Sequence, residues 1–331
     1  MARRERTALV LGAGGGIGGE LARELRDRGW TVRGMGRSVP AGRREGIDWI
    51  VGDALDPASV AAAARGCAVI AHAVNPPGYR RWNELVLPML DNTLAAAGAE
   101  GAIVLLPGTV YNYGPDVPVL AAEHAPQNPV GRKGAIRVEM ERRLRAFAES
   151  GRGRALVVRA GDYFGPRPGG SWFSQAMLRP GKPVRTIRLP GLAGVGHQWG
   201  YLPDVARTMA LLLDRADGLE PFARFHMGGH WDPDGRAMAD AIRRIVVRYG
   251  GREPRVTRFP WWIVPLLAPF DESLREMREV RRFWREPLRL DNSRLLDVLG
   301  FEPHTPLDEA VEATLQGLGC LGLSSSGLAT A

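Results

Sequence analysis

The chain opens with a repeating alternation of short apolar runs and stretches whose apolar positions fall at helical spacing. "TALVLGA" precedes "GGELARELRDRG", and "TVRGMGR" and "IDWIVGD" precede "PASVAAAARG". "AVIAHAV" precedes "LVLPMLDNTLAAAG", and "AIVLLPG" precedes a helix expected over 135–150. "RALVVRAGDYFG" reads as one further buried strand. Strands that are apolar on both faces and separated by amphipathic helices predict an α/β chain with a doubly wound parallel sheet. Near Pro166 the alternation stops and Pro, Gly, Trp and Arg take over; it returns in "QWGYLPDVARTMALLLD" and "ARFHMGG". The predicted organisation is a sheet domain over 1–165, with core elements also from about 200–228, and a smaller C-terminal region over 166–199 and 229–318. Residues 319–331 lack periodicity and are expected to form a loose tail.

The first strand–helix junction, "LVLGAGGGIGGELARELRDRG", is dense in glycine. Glycines permit a tight turn and let backbone amides approach a pyrophosphate resting on the helix N-terminus, as in Rossmann dinucleotide sites. Two registers fit: Gly12, Gly15 and Gly18, or Gly14, Gly16 and Gly19. The first is preferred because Gly12 directly follows the strand, with Gly16 and Ile17 completing the cradle. At the end of the second strand an acidic residue would bind the adenosine 2′-hydroxyl and favour NAD. Arg37 and Ser38 stand there instead, with Arg33 nearby, which favours NADP(H) over NAD(H) through charge-assisted contacts to a 2′-phosphate. Asp53 and the adjacent Ala54 end the third strand, where the carboxylate would accept from the adenine amino group or cap the following turn. Asn75, after "AHAV", is placed near the nicotinamide ribose.

Composition narrows the partners. The formal charge of +8 and pI near 10.1 come from scattered arginines with no block of like charge, and "REMREVRRFWRE" alternates with Glu as a solvated helix face would. A small-molecule substrate is expected and nucleic acid is not. Cys67 and Cys320 alone form neither a disulfide framework nor a metal site, which fits a cytoplasmic location. His226 and His230 are four apart, but the intervening Met-Gly-Gly opposes a helix, so no metal is expected. The N-terminal apolar run of about five residues is shorter than a secretory core of roughly 7–15. "WWIVPLLAPF" is broken by two prolines, so no membrane span is expected.

Taken together, "GAGGGIG", "VGDALD", "VIAHAV", "VYNYG", "VVRAGDYFGP", "WGYLPDVA", "FHMGG" and "LDNSRLLDVLGFEP" resemble the short-chain dehydrogenase/reductase superfamily. The resemblance is to its extended or atypical branch, the NAD-dependent epimerase/dehydratase family, and covers nearly the whole chain. It implies a Ser/Thr–Tyr–Lys reaction centre, which this chain lacks. Pro107 stands at the Ser/Thr position, and in "QNPVGRKGAIRVEMERRL" Lys133 takes the tyrosine position and Arg137 the lysine position. The substitute candidates are Lys133 and Arg137, the strand-end residues Tyr111 and Tyr163, and the hydroxyl of Thr109. Trp172, His197 and Trp199 are candidate substrate contacts, with Phe173, Trp261 and Trp262 in the same aromatic group. Asp204 is expected to cap the helix that follows it.

The expected activity is NADP(H)-dependent oxidoreduction of a small organic carbonyl or imine-like substrate with a non-standard proton donor. The alternatives are a nucleotide-sugar epimerase or dehydratase, whose diphosphate Arg167, Arg185 and Arg188 would hold, and a catalytically silent NAD(P)-binding regulator. The resemblance also implies a homodimer through the helices covering 84–97 and 135–150.

Overall fold

The computed structural model describes residues 6–39, 46–76, 81–167, 169–268 and 272–321. The chain runs β1 (Thr7–Leu11), α1 (Gly16–Asp27), β2 (Thr31–Gly36), β3 (Asp48–Val51), α2 (Pro57–Ala64), β4 (Val69–His72), α3 (Trp82–Glu100) and β5 (Ile103–Gly108). It continues with β6 (Leu120–Ala121), α4 (Arg132–Glu149), β7 (Arg154–Arg159), β8 (Asp162–Phe164), β9 (Thr186–Leu189), β10 (His197–Tyr201), α5 (Leu202–Asp214), β11 (Phe222–His226) and β12 (His230–Asp232). Last come α6 (Ala237–Arg248), β13 (Arg255–Arg258), α7 (Ile263–Leu267), α8 (Glu272–Val280), β14 (Arg289–Leu290), α9 (Ser293–Leu299) and α10 (Leu307–Gly317).

Seven parallel strands form the main sheet in the order β11-β7-β5-β4-β1-β2-β3. The order reverses beside β1, which places a crevice between β1 and β4 at their carboxyl ends. Strand alternation sorts the core. Leu9, Leu11 and Ile70 face α2, α3 and α4, while Ala8, Val10 and Ala71 face α1 and α5. The apolar stripe of α3 (Val86, Met89, Leu90, Leu94, Ala97) is buried in the first of these layers. Asp56 caps α2, accepting from the Ala58 amide at 3.0 Å, with Pro57 in the first turn where its missing N–H costs nothing.

The stretch expected as one strand is two. β7 lies in the main sheet, but β8 pairs with β10 in a second sheet of order β12-β10-β8. The chain changes sheets at Gly161, where a Cβ would collide with the Gln198 carbonyl. A third apolar cluster, with Phe164, Phe173, Trp199, Trp284, α6 and α10, sits beyond this switch. Two short ribbons, β13-β9 and β14-β6, complete the region beyond the main sheet.

Three local expectations change. The helix expected from 135 starts at Arg132, because Glu279 reaches across from α8 and accepts the Lys133 amide at 3.2 Å. Asp204 lies within α5 rather than capping it. It accepts from the Thr305 amide at 2.6 Å and hydroxyl at 2.9 Å, pinning the C-terminal segment to the sheet domain. Of the expected tail, Cys320 is buried in the third cluster; residues 322–331 lie outside those described.

Candidate functional site

A cleft of about 590 Å³ opens at the carboxyl edge of the main sheet, where the turns after β1, β4, β5 and β7 meet the first half of α4. Gly12 has φ +83°, and a Cβ there would stand 2.6 Å from the Ala73 carbonyl oxygen, so only glycine fits at the crossing of the β1 and β4 turns. The Gly12 carbonyl closes the turn by accepting the Gly15 amide at 2.9 Å. Gly18 sits directly behind, with no room for a Cβ against that carbonyl. The close packing thus follows the Gly12–Gly15–Gly18 register. Gly12, Gly15, Gly16 and Ile17 line the cleft, and Gly15, at the start of α1, has no side chain to cap the helix. A helix start with open amides and a cradle that side chains would fill suits a pyrophosphate.

The candidates for reaction chemistry gather opposite. Thr109, Tyr111, Tyr163, Lys133 and Arg137 all line the cleft, with Asn75 and Trp172. Thr109 starts a short turn, its hydroxyl 3.4 Å from the Tyr111 amide. The Tyr163 phenol donates to the Gly108 carbonyl at 3.0 Å, and Asn75 accepts from the Trp82 indole at 3.1 Å. The Arg137 guanidinium lies 5.4 Å from the Trp82 ring centre.

Tyr111 holds the informative contact. Its phenol donates to Asp162 Oδ1 at 3.1 Å, and Asp162 Oδ2 lies 3.0 Å from His197 Nε2. The other ring nitrogen, Nδ1, lies 3.2 Å from the Phe283 carbonyl, an atom that can only accept. The ring proton thus has two acceptors within reach, the Phe283 carbonyl and the Asp162 carboxylate. Stacking on Trp284, with ring centres 3.7 Å apart, holds the imidazole in place. A Tyr111–Asp162–His197 chain thus leads from the cleft to a buried proton.

One residue further on, the chain enters a closed polar core. Arg159, fully buried, pairs with Glu141 at 2.5 Å. Glu141 also accepts from Asn112, Gln127 and Arg224, each at 3.0 Å. These two arginines hold its carboxyl below the usual range against the opposing effect of burial. His72 ends β4 at the cleft wall. Its Nδ1 lies 2.8 Å from the Thr93 hydroxyl, which itself donates to the Met89 carbonyl. Burial first, and then the positive Arg137, push its pKa down to about 3, so it is neutral.

Several expected residues lie elsewhere. Trp199 is buried in the third apolar cluster and does not reach the cleft, because β10 turns it toward Phe164 and Phe173. Phe173 is buried with it, while Trp262 is 70% exposed. His197 is buried too and meets the cleft only through Asp162. Arg37 and Ser38 are exposed at the end of β2, beyond the cleft lining. Arg33 is bound to the carbonyls of Ala63 and Arg65 at the end of α2, which leaves its guanidinium packed on structure. Asp53 caps its own turn through the Leu55 amide, and the Ala54 carbonyl accepts from Asn92. Arg167 is paired with Glu20, and Arg185 and Arg188 do not line the cleft. Within "REMREVRRFWRE", Arg282 binds the Tyr113 and Gly114 carbonyls, and Phe283 and Trp284 are buried, so only part of that stretch is a solvated face. Asp162 and His72 are not among the residues the sequence points to; the only signal for Asp162 is its place inside the family-like segment "VVRAGDYFGP".

Residues 8–228 match the model of the NAD dependent epimerase/dehydratase family. The chain belongs to that family. Membership makes it a nicotinamide-dependent enzyme, and the described residues include no helix long and apolar enough to cross a membrane. An uncharacterized protein of Sinorhizobium fredii, y4nL, is 28% identical over 235 residues, a match spanning 63% of this chain and 65% of that protein. Among solved structures, MoeE5 in complex with UDP-glucose and NAD is 20% identical with a TM-score of 0.71, covering 94% of this chain and 98% of that one. UDP-glucose 4-epimerase from Brucella ovis in complex with NAD is 16% identical with a TM-score of 0.73, covering 95% and 98%. In this family member α4 carries no tyrosine, and Lys133 stands at the cleft instead.

Proposed function

We propose that this chain moves a hydride between a nicotinamide nucleotide and a hydroxyl-bearing carbon of a nucleotide-sugar-type substrate, with Tyr111 as the group that meets the reacting oxygen. The observation that carries the reading is the Tyr111–Asp162–His197 chain opening onto the same cleft as the glycine cradle. The nicotinamide supplies the hydride chemistry. In the reducing direction the phenol hydrogen goes to the substrate oxygen, and the proton held between Asp162 and His197 refills the phenol through Asp162. In the oxidising direction each proton moves back. An epimerisation needs both directions in turn and leaves the proton store as it began. The family match and the fold shared with sugar-nucleotide epimerases support this reading over reduction of a small carbonyl or imine.

Lys133 and Arg137 act beside Tyr111 as positive charges facing the developing oxyanion. NADP(H) is favoured over NAD(H) because Arg37 is exposed at the end of β2, with no carboxylate in the Gly36–Val39 turn.

Binding of NAD⁺ and NADP⁺ followed by fluorescence, then turnover of UDP-sugars beside simple ketones and imines, tests the reading. Tyr111→Phe should bind nucleotide as the wild type does and lose about 10²–10⁴-fold in turnover, the usual worth of a positioned proton donor. Arg37→Ala should lose any preference for NADP⁺. Full turnover in Tyr111→Phe removes the proposed role, and turnover of ketones or imines alone restores the small-carbonyl alternative.

A further inference from the structure

Lys133 stands where two cavities meet. The second, of about 300 Å³, opens between the first turn of α4 and α8 and shares Trp82 and Lys133 with the main cleft. Its wall brings together Arg132, Lys133, Arg275 and Arg278, with Glu279 as the one acidic residue. Some exposed arginines elsewhere are paired, Arg244 with Asp308, Arg142 with Glu139 and Arg248 with Glu312, and others stand apart along the surface, as Arg37, Arg65 and Arg255 do. Among the described residues, Arg132, Arg275 and Arg278 form no ion pair, and all three are exposed. Gathering like charges in a concave wall costs self-repulsion and concentrates anions.

The molecule already marks where an anion sits. The Glu279 carboxylate accepts the Lys133 amide at 3.2 Å and lies 3.0 Å from where a Cβ on Gly131 would stand. It therefore occupies the amide end of an 18-residue helix, the place a phosphate oxygen would take.

We infer that the cavity between α4 and α8 binds a phosphate ester group of the substrate, with Lys133 spanning from that group to the reacting end in the main cleft. The inference rests on reading the main cleft as the reaction site. Arginine forks and a helix start together suit the tetrahedral, multiply charged oxygens of phosphate. Trp82 lines both cavities. Arg167, tied to Glu20, and Arg185 and Arg188, which line neither cavity, are then not needed for this anion.

Calorimetric titration of inorganic phosphate, with inorganic pyrophosphate in parallel, tests the site on the full chain. Arg275→Ser/Arg278→Ser changes exposed residues only and should weaken binding of the better probe at least fivefold. Glu279→Gln should tighten it, because a competing carboxylate is gone. A smaller loss in the double variant, or no heat in the wild type, overturns the inference, since phosphate would then be held at the glycine cradle or nowhere. Nucleotide binding is followed in the same proteins. If the arginine variant loses phosphate while neither protein binds NAD⁺ or NADP⁺, the anion site stands and the hydride-transfer reading fails. If both bind nucleotide equally and phosphate affinity is unchanged, the reverse holds.

Discussion

Two buried polar clusters lie on either side of a three-residue turn, and they differ in what they leave open. Asn112 and Tyr113 point into the Glu141–Arg159–Arg224 core, where four side chains converge on one carboxylate. Tyr111 points the other way, into a chain of three groups that ends at the cleft. The first cluster joins β7, β11 and α4, and none of its side chains lines the cleft. The second joins the two sheets through β8 and β10 and opens onto the cleft at Tyr111 and Asp162. A closed network serves rigidity, whereas a network with one group at a cleft wall can exchange a proton with a ligand. Adjacent residues of one turn thus belong to two different networks, and only the second takes part in the proposed proton transfer.

The sharpest way to break this distinction is to open the closed cluster. Glu141→Ala strands Arg159 and Arg224 without their carboxylate, and Arg159 is fully buried. The loss should be about 3–5 kcal/mol of stability, read from urea unfolding. A loss below about 1 kcal/mol would mean the arginines find water or other partners, and the cluster is not closed.

Asp162→Asn makes the matching cut in the open cluster. It keeps the shape, so the urea midpoint should move little. Turnover should fall by about 10²-fold or more, because the phenol loses its route to the stored proton. Equal damage to fold and turnover would show that the second cluster is structural as well.

A smaller effect comes from the histidine at the cleft wall. His72 has a folded pKa of about 3 against 6.5 for the ordinary side chain. Both states are neutral above pH 6.5, so it contributes no pH dependence there. Between about pH 6.5 and 3 the unfolded chain takes up a proton that the folded chain refuses, and stability falls by up to about 1.4 kcal/mol per pH unit. His230, pushed down to about 4 by burial and then by His304, acts in the same direction. His72→Gln should flatten the acid limb of a stability–pH curve; an unchanged slope would show that His72 titrates normally in the folded chain.

Much of the main sheet is legible in the sequence, because continuous apolar runs with helices between them allow few arrangements. β1, β2, β3, β4, β5, β7 and β11 all fall on stretches expected to be strands or core. The glycine cradle was legible for the same reason: its requirement is local, a left-handed turn at Gly12 followed at once by a helix. The proton chain was not. Asp162, His197 and Tyr111 are separated by up to 86 residues, and nothing local marks them as neighbours. Trp199 was misplaced because a strand in a second sheet, unlike one at a sheet edge, turns its aromatic side chains into a core of their own.

The parallel sheet, the glycine cradle and the lack of a tyrosine in α4 follow from apolar period, glycine spacing and residue identity, each acting over a few positions of the chain. That Tyr111 backs onto Asp162 and His197, and that Lys133 adjoins a second, arginine-lined cavity, follows only from the folded chain. Those arrangements depend on Gly161 passing the chain from one sheet to another and on α8 packing against the start of α4, contacts between distant segments that only the folded chain brings together.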